Sequence, residues 1–137
     1  MADVFGRTQA KITTTIAAVY TVPIRASLSV GGVDVVRASA EDVNTQSQIT
    51  SIIIAEVAGG TATYSLWVTD DAGTASVPAG VNPIVGDATQ IASLVPMFAQ
   101  EVHILAHGLV LGPDNTIWAL ADANAKLVIT VNHIEVS

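Results

Sequence analysis

The sequence predicts an all-β protein, an antiparallel β-sandwich of the jelly-roll type with about eight strands and little helix. Three observations lead to this prediction. Short segments alternate between apolar and polar residues, and Gly, Pro, Asn and Asp separate them at short intervals. Thr, Val and Ile dominate the segments themselves, as β-propensity favours.

The N-terminal part of the chain predicts an arm followed by a strand. Residues 1–10 lack clear alternation, so we expect an N-terminal arm there and a single β-sandwich domain over residues 11–137. The segment "KITTTIAAVYTV" at residues 11–22 has the alternation of one continuous strand, which Pro23 interrupts.

Two Gly-Gly pairs predict two hairpins. In "ASLSVGGVDVVRAS", Gly31-Gly32 can supply the positive φ angles of a tight turn between two short strands. In "ITSIIIAEVAGGTATYSLWVTDDAG", residues 49–57 form one strand, Gly59-Gly60 the turn, and residues 61–69 the returning strand.

Trp67 lies on the polar side of that returning strand, together with Thr and Ser residues. A large ring at such a position can cover a neighbouring subunit or a ligand. It can also shield its own sheet, which is the more common arrangement.

The C-terminal half predicts further strands after a broken connection. Residues 74–90 are rich in Pro and Gly, and Asp87 is placed to cap a single helical turn over residues 88–94. A strand pattern then returns over residues 95–111, and further strands follow at 116–120 and at 126–136.

The composition indicates that other copies of the chain cover part of its apolar surface. Apolar residues make up 50% of the 137 residues, charged residues 12%, and the mean hydropathy is +0.54. An average soluble protein has roughly 25% charged residues. We therefore expect a homo-oligomer, with a monomer coated by Thr and Ser as the alternative.

The charge balance disfavours direct binding to nucleic acid. The net charge is −7, with five basic residues against twelve acidic ones, whereas phosphate contacts require clustered Lys and Arg. Four of the five basic residues lie in the first 37, so the N-terminal segment could meet an acidic partner surface.

The expected setting is synthesis in the cytoplasm with no membrane partner. No apolar run approaches the roughly 20 residues of a membrane-spanning helix, and the N-terminus does not resemble a signal peptide. The chain contains no Cys.

The residues that could perform chemistry form no recognisable catalytic motif. His103 and His107 are four residues apart, but in a strand that spacing spans about 13 Å, too far for one metal ion. Asp70, Asp71, Asp114 and Asp122 lie at strand ends or in turns, where Asp usually binds backbone amides. We predict no enzyme, no cofactor, no metal and no catalytic residues.

Three segments resemble small virion structural proteins of tailed bacteriophages. They are "AAVYTVP" at residues 17–23, "TSIIIAEVAGGTATYSLWVTDDAG" at 50–73 and "GLVLGPDNTIWALADANAKLVITVNHIEVS" at 108–137. The chain departs from that pattern in a hairpin-like insertion between Pro23 and Ile49, and in Asp114-Asn115 where Gly-Asp is frequent.

The resemblance implies a head decoration, or cement, protein. Such a protein is made in the host cytoplasm, forms a homo-oligomer that is commonly a trimer, and binds the major capsid protein on the outer surface of the virion. It stabilises the shell by engaging several capsid subunits at once. The residues that we expect at the partner interface are Val4, Phe5, Arg7, Lys11 and Trp67.

Three alternatives remain open from the sequence. One is a tail, neck or fibre-base component of the virion. Another is a virion-displayed carbohydrate-binding module that uses Trp67, Trp118 or Tyr64 as stacking platforms. The last is a small hydrolase that depends on Asp70 or His103.

Overall fold

The computed structural model describes the greater part of the chain, namely residues 4–23, 27–30, 33–36, 46–69, 89–105, 108–112 and 115–136. These residues form strands and turns, without a helix. The strands in chain order are β1 Val4–Ile12, β2 Ala17–Thr21, β3 Ser27–Val30, β4 Val33–Val36, β5 Gln46–Glu56, β6 Ala62–Thr69, β7 Thr89–Met97, β8 Val102–Leu105, β9 Leu109–Leu111, β10 Thr116–Ala121 and β11 Leu127–Val136.

The strands build two antiparallel sheets. Sheet A has five strands in the order β1-β11-β5-β8, with β9 pairing the other end of β5. Sheet B has four strands in the order β2-β10-β6-β7. Strands β3 and β4 pair with each other in a separate hairpin.

The pairing is nested, which defines a jelly roll. The first strand pairs with the last, β2 pairs with β10, β5 with β8 and β9, and β6 with β7. The chain therefore runs as one long antiparallel hairpin wrapped into two sheets. The predicted antiparallel β-sandwich is confirmed.

The core lies between the sheets and follows the period of two in each strand. On β5, Ile49, Ile52 and Ile54 are buried at 0–1% exposure, and the residues between them are partly or fully exposed. Ile52 and Ile54 are alternate positions, whereas a β-bulge at Thr50 adds one residue between Ile49 and Ile52. Leu127, Ile129 and Val131 do the same on β11. These side chains pack against the inner face of sheet B, which contributes Tyr64, Leu66 and Ile117.

Residues 4–10 belong to β1 and do not form a separate arm. They pair with β11 from Val4↔Glu135 onward. The alternation is hard to recognise because the inward positions carry small side chains, such as Gly6, Thr8 and Ala10, instead of large apolar ones.

The strand predicted over residues 11–22 is two strands. The chain leaves sheet A after Ile12 and enters sheet B at Ala17. Between them, Asn124 Oδ1 accepts a hydrogen bond of 2.8 Å from the Thr14 amide, and the Thr13 hydroxyl donates to the Thr15 carbonyl at 2.7 Å. These bonds hold the turn that transfers the chain between sheets.

The predicted hairpin around Gly59-Gly60 is wrong, because β5 and β6 lie in different sheets. The turn between them is a crossover, in which Gly59 adopts a φ of 77°. The hairpin predicted before and after Gly31-Gly32 is confirmed for β3 and β4, and its turn lies outside the described residues.

The helical turn predicted over residues 88–94 is also wrong for its described part. Residues from Thr89 onward form β7, which pairs with β6. A β-bulge opposite Ser65 places Leu94 at a φ of 47°, and the Leu94 amide donates to Ser65 Oγ at 2.9 Å. Tertiary pairing has overridden the local capping signal.

The strands predicted at 116–120 and 126–136 are confirmed as β10 and β11. In the part of the chain that the structure describes, no helix is long and apolar enough to cross a membrane.

Candidate functional site

The candidate site is the outer face of sheet A, the face that points away from the core. Gly6 pairs with the buried His133, so the neighbouring pair Phe5↔Ile134 points to the opposite side. The registers of the neighbouring strands place further outward residues beside each such pair, so that they form rows across the sheet. The resulting rows are Lys11–Val128–Ala55–Val102, Gln9–Thr130–Ile53–Ile104, Arg7–Asn132–Ser51 and Phe5–Ile134–Gln48–Val110.

This face exposes large apolar side chains. Phe5 is 78% exposed, Val102 55%, Ile104 67% and Val110 61%. Ile104 and Ile53 are cross-strand neighbours, as are Val102 and Ala55. Contiguous exposed apolar surface of this kind is typical of a protein–protein contact.

The charges of the outer face are all positive among the described residues. Arg7 and Lys11 are exposed on β1, at the edge of the sheet. The other outward positions carry apolar, amide or hydroxyl side chains. Asn132 Nδ2 donates to Ser51 Oγ at 2.9 Å, which orders the polar centre of the face.

The structure brings together three of the five residues predicted at the interface. Phe5, Arg7 and Lys11 all point outward from β1. Val4 pairs with Glu135 through the backbone.

Trp67 is not on this face. It lies on β6 in sheet B, is only 4% exposed, and pairs with Trp118 on β10. The two rings form a second buried cluster with Ile16 and Leu120. The Trp118 indole donates to Thr69 Oγ1 at 2.8 Å.

Sequence reasoning missed Val102, Ile104 and Val110 as surface residues. Their signal was present as apolar side chains at alternate positions in "EVHIL" and "GLVL". The more apolar face of "EVHIL" carries Val102 and Ile104, and "GLVL" is apolar on both faces, so alternation could not show that these residues point away from the core.

The aromatic residues proposed as sugar-stacking platforms are buried. Tyr64 is 1% exposed, Trp67 4% and Trp118 5%. Stacking on a sugar requires an accessible ring face, which these three side chains do not offer.

A polar chain links the sheets at one end of the core. Tyr64 OH lies 3.0 Å from His103 Nδ1, and His103 Nε2 lies 3.1 Å from Glu101 Oε1. Since a carboxylate only accepts, Nε2 carries a proton, and in the neutral ring Nδ1 accepts from the phenol. His103 therefore has a structural partner on each nitrogen, and His107 lies outside the described residues.

The surroundings of these linked side chains shift the pKa values of Glu101 and Tyr64. The amide of Phe98, which donates to Glu101 Oε2 at 2.8 Å, is the main cause that lowers the pKa of Glu101, and His103 adds to it. Burial raises the pKa of Tyr64, and the Glu101 carboxylate adds to this effect. A buried phenol with a raised pKa is a poor nucleophile, so these three linked side chains fit a structural role.

A second polar cluster links the sheets through Tyr20. Its phenol lies 2.9 Å from Ser47 Oγ and 2.9 Å from Glu135 Oε1, and its ring stacks on His133 at 4.2 Å. His133 Nδ1 is buried without a hydrogen-bond partner in the described chain and lies 3.7 Å from Glu135 Oε1. Burial lowers the pKa of His133, and Glu135 opposes that shift.

Of the four Asp residues considered for chemistry, the one that the structure describes binds the backbone. Asp122 Oδ1 accepts from the Thr63 amide at 2.9 Å, while Asp70, Asp71 and Asp114 lie outside the described residues. No group of three or more His, Asp or Glu residues that could hold a metal occurs in the described ranges.

Glu56 closes the crossover between the sheets. Its carboxylate accepts from the amides of Gln100 at 2.8 Å, Ala58 at 2.8 Å, Gly59 at 3.0 Å and Gly60 at 3.1 Å. The Gln100 amide is the largest single cause that lowers the pKa of Glu56 to about 2. This carboxylate fixes two turns and is not free for acid–base chemistry.

No family model matches the chain, and no curated protein matches it.

Proposed function

We propose that this protein is a structural subunit of a phage particle, a head decoration protein on the outer surface of the shell. The exposed apolar outer face of sheet A carries this proposal, because such a surface is stabilised when another protein covers it. The resemblance of three segments to small virion structural proteins supplies the specific setting.

The proposed mechanism is multivalent attachment. The protein forms a homo-oligomer, commonly a trimer in the proteins it resembles, and each subunit contacts the major capsid protein through one outer face. A single contact is weak, but linked contacts act at a high effective concentration and hold the oligomer firmly. The bound oligomer stabilises the shell by joining neighbouring capsid subunits.

The buried polar links between the sheets support this mechanism. Tyr64–His103 and Tyr20–Glu135 each connect sheet B to sheet A. A rigid sandwich transmits load between its contacts without changing shape. A jelly roll is also used by capsid and lectin domains, although a fold by itself does not specify a function.

Counting copies in purified particles tests the proposal. A copy number comparable to that of the major capsid protein supports decoration of the head. A handful of copies supports the alternative of a tail, neck or fibre-base component, and complete absence from particles overturns both virion roles. A glycan array then tests the sugar-binding alternative.

A further inference from the structure

His133 is an ionisable side chain that lies inside the sandwich. It is 7% exposed on the inner side of β11, and its ring stacks on Tyr20 of β2 with 4.2 Å between the ring centroids. Nδ1 of this imidazole is buried without a hydrogen-bond partner among the described residues. Buried polar atoms are nearly always paired, so this nitrogen is an exception, and it belongs to a side chain that titrates close to neutral pH.

The described surroundings offer a proton on this ring little compensation. Glu135 Oε1 lies 3.7 Å from Nδ1, beyond hydrogen-bond distance, and the Tyr20 phenol lies 2.9 Å from the same oxygen. Strand β5 contributes the Ser47 hydroxyl, and its carboxylate, Glu56, lies at the far end of the strand. Strands β9 and β10 carry no ionisable side chain. A charged imidazole here would therefore have one described carboxylate nearby and almost no water.

Strand β1 covers the ring with its backbone. Gly6 is paired with His133, and a Cβ added to Gly6 would overlap the imidazole. The cations of this strand, Arg7 and Lys11, point to the outer face of sheet A and away from the ring. Strand β1 therefore brings no charge to His133 and closes the site by proximity alone.

The part of β1 that covers the ring is weakly anchored. Strand β1 is at the edge of its sheet, and β11 is its one neighbour there. Residues 5–10 are exposed or only partly buried, whereas Ile12, at the end of the strand, is 2% exposed and belongs to the core. Strand β2, by contrast, is anchored through two contacts of the buried Tyr20 phenol. Local opening occurs where few apolar contacts are lost, so residues 4–10 separate from the sandwich at lower cost than β2 does.

We propose that His133 is a pH-sensitive switch for this edge strand, in which protonation of the imidazole favours an open state with residues 4–10 separated from β11. The open state hydrates the charged ring while the core between the two sheets stays intact. It also leaves the backbone at one end of β11 unpaired. Burial lowers the pKa of His133 in the closed state, although the Glu135 carboxylate acts in the opposite direction. The switch is independent of the proposed function.

The direction of the pH dependence follows from these two states. In the open state the imidazole has its ordinary pKa near 6.5, above its pKa in the closed state. The closed state is therefore fully favoured above pH 6.5, and the population of the open state rises by at most about tenfold per pH unit as the pH falls. Carboxylates with an ordinary pKa near 4 stay ionised down to about pH 5.5, so they contribute little in this window.

Backbone hydrogen exchange tests the switch. NMR measures the exchange rates residue by residue at about pH 7.5, 6.5 and 5.5, and comparison with the rate of the same amide in an unstructured chain gives a protection factor. For the β1 amides that bond to β11, we expect protection at least about tenfold lower than that of the most protected core amides. We expect this protection to fall by a further threefold to tenfold, roughly, between pH 6.5 and 5.5.

Two variants assign the effect to one imidazole. In His133→Asn, the pH dependence of β1 protection should disappear. His103→Gln is the matched control, because it removes an imidazole whose two nitrogens both have partners, and the dependence in β1 should persist. If His133→Asn does not fold, the NMR titration of His133 in the unchanged protein replaces it, with an expected midpoint below 6.5.

Each other outcome overturns the proposal. Equal protection of β1 and the core would show that the ring is hydrated only by global unfolding. Protection of β1 that is low at every pH, or that still changes with pH in His133→Asn, would show that the strand opens independently of this imidazole. Loss of the dependence in His103→Gln would assign it to the wrong residue. A His133 midpoint at or above 6.5 would show that the closed state does not exclude the charged ring.

Discussion

The phenol oxygen of Tyr64 lies 3.0 Å from Nδ1 of His103, and this contact joins β6 of sheet B to β8 of sheet A across the core. Nε2 of the same imidazole reaches Glu101 at 3.1 Å. The sandwich is thus held by hydrogen bonds as well as by apolar packing at this end.

Replacing Tyr64 with Phe tests the contribution of this link. We expect Tyr64→Phe to reduce the free energy of unfolding by about 0.5–1.5 kcal/mol, because it removes one buried hydrogen bond at constant shape. Urea denaturation measures the change, and a double-mutant cycle with His103→Gln isolates the pair. A cycle with no coupling energy would show that the contact contributes nothing.

Acid should destabilise the protein through His133. Its pKa is lowered in the folded state, so the unfolded chain takes up the proton first as the pH falls below 6.5. Stability is then lost progressively toward lower pH, with a slope of at most about 1.4 kcal/mol per pH unit. In His133→Asn, unfolding measured from pH 7.5 to 5 should lose this slope, and an unchanged slope would refute the assignment.

Gly6 should not tolerate a methyl group. A Cβ at this position would overlap Cε1 of His133, and the ring is held by its stacking on Tyr20. We expect Gly6→Ala to destabilise the protein by about 1–3 kcal/mol through overpacking.

Gly108→Ala is the matched control for that substitution, because among the described residues no heavy atom beyond its chain neighbours lies within 4 Å of the added Cβ. Thermal unfolding of both variants compares them directly. His133→Ala in the Gly6→Ala background should recover part of the loss. Equal effects at the two glycines would contradict the close approach of β1 and β11.

The Glu56 carboxylate should stabilise the two turns that it connects. Glu56→Gln should lower the midpoint of thermal unfolding, because an amide offers one acceptor oxygen to amides that the two carboxylate oxygens now share. Asp122→Asn, which alters a carboxylate that accepts from the Thr63 amide at 2.9 Å, should have a smaller effect.

The pH dependence of the stability that Glu56 provides follows from the direction of its pKa shift. The folded-state pKa is about 2, below the usual 4.5, so the stability that Glu56 provides is present above pH 4.5. It is lost as the pH falls toward 2. The difference between the unchanged protein and Glu56→Gln should therefore shrink over that window, and a constant difference would contradict the proposed ionised acceptor.

Two adjacent isoleucines test the two faces of β5. Ile54 is fully buried in the core, whereas Ile53 lies on the outer face. We expect Ile54→Ala to cost about 2–5 kcal/mol and Ile53→Ala less than about 1 kcal/mol in the free energy of unfolding. Similar costs in urea denaturation would place the register one residue away.

The sequence predicted the class of fold because that class depends on local signals. Alternation and turn residues located β10 and β11 almost to the residue. The Gly-Gly pair between β3 and β4 likewise indicated a true hairpin. These elements depend on neighbours in the chain, which sequence patterns report.

The placement of β5 and β6 in different sheets could not be predicted in the same way. The Gly59-Gly60 turn resembles a hairpin turn, yet Glu56 and the distant Gln100 direct the chain into the other sheet. Similarly, β1 is recognisable only through its partner β11, since its inward side chains are small. Contacts between distant segments decided both cases.

The candidate site was predicted in part. Phe5, Arg7 and Lys11 were identified from charge and apolar character, and the structure places them on one face. Trp67 was placed on the correct side of its strand, but the sequence could not show that Ile16, Trp118 and Leu120 bury that side.

The pairing of β1 with β11 has a consequence for biosynthesis. During translation, β1 emerges before β11 and must wait for it before it has a neighbour in its sheet. Sheet A can therefore close only after β11 has left the ribosome, and until then the edges of β1 and β5 that β11 will cover stay open to aggregation.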